Sequence, residues 1–68
     1  MLTNEEKIGI INGRIKNIES SKYDAELAIE EENALASPNA EILAIHQSRL
    51  TDYNAKKAVL EAKLEELS

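Results

Sequence analysis

The sequence predicts an all-α protein: an antiparallel two-helix coiled-coil hairpin that oligomerises or docks on a larger protein. Three observations carry this expectation. Apolar residues recur three and four positions apart over two long stretches, a single proline separates them, and 68 residues allow only one small domain. So short a chain buries little core, and the absence of Cys removes both a disulfide staple and a thiolate metal site. Stability must then come from helix packing, partly between copies.

The first helix is expected over about residues 4–36. Thr3 and Glu6 form a capping box, the hydroxyl meeting an otherwise unpaired amide while the carboxylate reaches back. The core stripe runs through Ile8, Ile11, Ile15, Ile18, Lys22, Ala25 and Ile29, and continues to Glu32 and Ala36. Ser37-Pro38 ends it, because the residue before proline is pushed out of the helical region. Proline is well tolerated at the first position of a helix, so the turn is placed at 37–38 and Ser37 is read as the cap of a second helix over about 38–67. The second stripe is Leu43, His46, Leu50, Tyr53, Lys57, Leu60, Leu64 and Leu67.

A two-residue connection implies an antiparallel pair. Folded there, the stripes meet in layers: Ile8 with Leu67, Ile11 with Leu64, Ile15 with Leu60 and Ile18 with Lys57. Lys22 then meets Tyr53, Ala25 meets Leu50 and Ile29 meets His46. The two lysines can lay their stems on apolar neighbours and keep their ammonium groups in water. A polar layer of Lys22 and Tyr53 also penalises slipped registers.

Outside the seam, Gly9 and Gly13 fall on the back of the first helix, in line with Leu2, Ser20, Leu27 and Ala34 and beside Tyr23. Each glycine costs a helix about 1 kcal/mol relative to alanine. Two readings stay open: tolerance near a fraying end, or a surface that a neighbouring helix approaches closely. Gly9, Gly13, Tyr23, Leu27 and Ala34 are therefore the candidate partner face. Ile42, Ile45 and Val59 add apolar side chains off the second stripe, which favours an oligomer or a docked hairpin over a lone one. The membrane reading of Gly-x-x-x-Gly is weak, since Asn12, Arg14 and Lys16 interrupt the segment.

Charge and motif content narrow the function. Thirteen acids against eight bases give a net charge of −5, which repels phosphate backbones and anionic lipids, so neither nucleic acid nor membrane is an expected partner. An acidic start without an apolar stretch reads as a soluble protein lacking a secretory signal. No Ser-His-Asp set, Gly-rich phosphate loop or Glu-x-x-His pair is present, and the carboxylates are scattered over open helix surfaces. No catalysis, cofactor or metal is expected. The run "DAELAIEEE" holds Asp24, Glu26, Glu30, Glu31 and Glu32 without a base. It is either a solvated face or a docking patch for a basic partner. Arg14, Lys16, Lys22, Arg49, Lys56 and Lys57 would form a basic belt across the hairpin's middle, against which the acidic ends of staggered copies could pair.

"LTNEEKIGIINGRIKNIE", residues 2–19, with Lys22-Tyr23 and "EEENA", residues 30–34, resembles small acidic proteins without a known activity that tailed bacteriophages of marine cyanobacteria encode. The resemblance covers the first half and extends more loosely over the second. It implies a phage protein attached to the virion or assisting its assembly, located in the virion or the host cytoplasm. The expected function is a non-catalytic structural or protein-interaction module acting through helix–helix packing. The alternative is an acidic regulatory binder that occupies a basic groove on a host or phage protein through Asp24 to Glu32. An RNA-binding hairpin using the basic belt is a third reading, with unfavourable electrostatics.

Overall fold

The computed structural model describes residues 1–68 and contains two helices, α1 (Asn4–Asn33) and α2 (Ala40–Leu67), packed against each other as a hairpin. Its Cα atoms span 54 × 16 × 15 Å, a rod of nearly equal width and depth.

α1 starts at the expected capping box. The Glu6 N–H donates to Thr3 Oγ1 at 3.1 Å, and the Thr3 N–H donates to Glu6 Oε1 at 3.0 Å. The Thr3 backbone donor, then its side chain, holds the Glu6 carboxyl below its ordinary value of 4.5. A carboxyl depressed by folding stabilises the cap above its unfolded pKa, and that contribution is lost as the pH falls through the folded value. Acidification below about 4.5 should thus fray the first turn. In Thr3→Ala, which keeps the backbone donor, the Glu6 titration midpoint, read from its carboxyl carbon by NMR, should rise part of the way toward the ordinary value; an unmoved midpoint would mean that the Thr3 side chain does not act on Glu6 in solution.

The turn differs from the expected one. α1 stops at Asn33 rather than residue 36, and α2 begins at Ala40 behind an Asn39 cap rather than at Pro38 behind Ser37. Asn39 Oδ1 accepts from the N–H groups of Glu41 (2.9 Å) and Ile42 (3.3 Å), satisfying two of the donors a helix start leaves open. The Asn39 N–H in turn donates to Glu32 Oε1 at 3.3 Å, tying the start of α2 to the last turn of α1. Two physical reasons place the break here. Packed helix axes lie about 8–10 Å apart, a gap that residues 34–39 cross more easily than a two-residue link. Helix continuation would also set the Pro38 ring against the Ala34 carbonyl and leave that carbonyl without a donor. Ala36 consequently lies in the exposed turn and is not part of the seam.

The seam itself follows the expected stripes. From Ile8 to Glu32 and from Leu43 to Leu67, every stripe position is buried or half-buried. Outside them only Ser21 and Ala28 are not exposed. Only Ile11 and Ala25 are buried, at 8% and 6% exposure, and no side chain is sealed completely, because each helix has one neighbour and no third element closes over the seam. Two observations agree with the expected register. Lys57 Nζ lies 3.1 Å from Glu19 Oε1, beside the expected Ile18–Lys57 layer, and Ile18 shares a groove with Leu60. The ion pair is partly open to solvent and contributes about 1 kcal/mol.

Candidate interaction surface

With a seam along one stripe of each helix, the hairpin has two sides that run its length. Successive residues are rotated by about 100°, so the residue preceding each seam position lies on one face and the residue following it lies on the other. The groove confirms that the preceding residues of both helices share a side. Arg14, Asn17, Lys56 and Val59 line its walls above Ile18 and Leu60, and its volume is about 440 Å³.

The two faces differ in chemistry. All the isoleucine and valine side chains outside the seam, Ile10, Ile42, Ile45 and Val59, sit on the preceding face, and all are exposed, Val59 at 69%. Between them lie the half-buried Ser21 and Ala28, which flatten the centre of that face. The following face is acidic: Glu19, Glu26, Glu30, Glu61 and Glu65 stand against Lys16 alone, with Lys57 reaching Glu19 from the seam.

The candidate partner face lies elsewhere. Gly9 and Tyr23 are on the following face, while Gly13 and Leu27 are on the outer edge of α1. Ala34 falls beyond the last helical residue, in the turn. A methyl group built on either glycine meets nothing within 4 Å, so no close approach inside the chain requires them. The acidic run does not form one patch either. Asp24 and Glu31 point to the preceding face, Glu26 and Glu30 to the following face, and Glu32 is half-buried on the seam with its bond to Asn39. The basic belt divides in the same way: Arg14 and Lys56 wall the groove, Lys16 lies opposite, and Lys22 and Lys57 are half-buried in the seam. Ile10 is the residue that helical spacing alone does not single out. Its relation to Val59 emerges only when the second helix is laid beside the first.

His46 occupies its expected seam position, half-buried, with Nδ1 shielded from water and without a hydrogen-bond partner. Leaving such a nitrogen unpaired costs about 1–3 kcal/mol. His46→Leu should therefore raise the thermal midpoint by a matching amount. An unchanged or lower midpoint would mean that the nitrogen is hydrogen-bonded in solution.

No group of three or more His, Asp or Glu side chains is placed to hold a metal ion, and neither helix is long and apolar enough to cross a membrane. No protein-family model matches the chain, and neither a curated protein nor a solved structure does.

Proposed function

We propose that the chain is a non-catalytic helix-packing module that assembles with itself, alone or as part of a larger structure. Its surface area is the observation that carries this reading. A folded monomer of 7.6 kDa ordinarily exposes about 4,300 Å², whereas the hairpin exposes 5213 Å². The excess is close to the roughly 800 Å² that each partner buries in a standard protein interface. Four exposed branched aliphatic side chains gathered on one face supply the apolar contacts such an interface uses. The resemblance of residues 2–19 to phage proteins favours the virion or its assembly as the setting.

Sedimentation equilibrium of the purified chain at micromolar concentrations tests the reading. A dimer or higher species is expected. A folded monomer at every concentration would overturn self-assembly and direct the search to a different protein as partner.

A further inference from the structure

The preceding face changes sign along its length. Near the chain termini it carries Lys7, Arg14, Lys56 and Lys63 around Ile10 and Val59, with Glu66 as the lone acid and already 3.1 Å from Lys63. Toward the turn it carries Asp24, Glu31 and Asp52 around Ile42 and Ile45, with Arg49 as the lone base. Ser21 lies near the boundary, a half-buried small residue that allows close approach.

Resting on the self-assembly reading above, we propose that this face is the docking site for a second copy of the chain, reversed end for end, to give a two-fold symmetric four-helix bundle. Three features favour this occupant and orientation. The 54 × 16 Å outline offers enough area for a standard interface of about 800 Å² per partner. Reversal sets the basic end of α1 on the acidic end of its copy, whereas pairing like ends would oppose basic to basic and acidic to acidic; on α2 the same axis sets Lys63, already paired with Glu66, near Arg49 of the partner subunit, so the charge match is carried by α1. The following face would bring five acids against five in a face-to-face pair, a like-charge juxtaposition that disfavours it. Stacking α1 on its copy with the two-fold between Asn17 and Ser21 brings Arg14 opposite Asp24 of the partner subunit and Lys7 opposite Glu31 of the partner subunit. Ile10 then faces Ala28 of the partner subunit. Each contact occurs twice, as an isologous interface demands.

Charge reversal with rescue tests this. Arg14→Glu and Asp24→Arg are exposed changes outside the seam, and circular dichroism at low concentration should show the hairpin helices intact. Each single variant should weaken the dimer at least ten-fold in sedimentation equilibrium, and the double variant should recover most of that loss. Lys16→Glu on the following face should leave the dimer unchanged. A dimer indifferent to both reversals, or weakened by each without rescue, would overturn this interface while leaving self-assembly standing. A wild-type monomer throughout would overturn both.

Discussion

Ile11→Ala is expected to remove most of the hairpin's stability. Ile11 is the only large side chain that is buried, at 8% exposure, and truncating a buried isoleucine costs about 2–5 kcal/mol through lost transfer energy and the cavity left behind. A domain of 68 residues has of the order of 3–10 kcal/mol in total. The variant should therefore unfold at much lower urea concentration, or show reduced helical ellipticity without any urea. Ile10→Ala is the matched control. One position away, Ile10 is exposed, and at concentrations where the chain is monomeric its truncation should change stability by less than about 0.5 kcal/mol. Equal losses from the two variants would mean that the seam is rotated by one residue and that the two faces are misassigned.

That contrast also shows what the sequence makes legible. The seam is readable because burial on a helix is periodic: alternating steps of three and four return to one side, and residues 8–32 and 43–67 keep that rhythm even through Lys22, Glu32, His46 and Lys57. The capping box is readable because both of its bonds join residues three apart. The turn is not readable in the same way. Ser37 and Asn39 are both good caps, and Asn39 prevails in a context that includes the gap between helices and a carboxylate seven residues back, on α1. The acidic run misleads for a related reason. Neighbours in sequence diverge by 100° in a helix, so five acids among nine residues spread over both faces and the seam.

The apolar face is the least legible feature because neither helix shows it alone. α1 contributes only Ile10, and α2 contributes Ile42, Ile45 and Val59, whose spacing reads as scattered surplus beside the leucine stripe. The register brings them to one side and orders the charges around them from basic to acidic. Once that register is fixed, one local rule recovers the face: each of its residues immediately precedes a seam position.

Gly9→Ala and Gly13→Ala together are expected to stabilise the hairpin by about 2 kcal/mol, since each replacement adds about 1 kcal/mol of helix propensity. Neither glycine has a positive φ, and the added methyl groups meet nothing within 4 Å, so the native backbone accepts alanine without strain. For a domain of this size each kilocalorie shifts the thermal midpoint by about 4–8 °C, so the double variant should melt roughly 8–16 °C higher. The dimer proposed here leaves both glycines uncovered, and its dissociation constant should stay the same. A double variant no more stable than the parent, or one that dissociates more readily, would mean that a neighbour packs on the glycine ridge in solution and is displaced by the methyl groups. The partner face would then move from Ile10 and Val59 to Gly9, Gly13 and Leu27, on a surface whose small residues would have a contact to explain them.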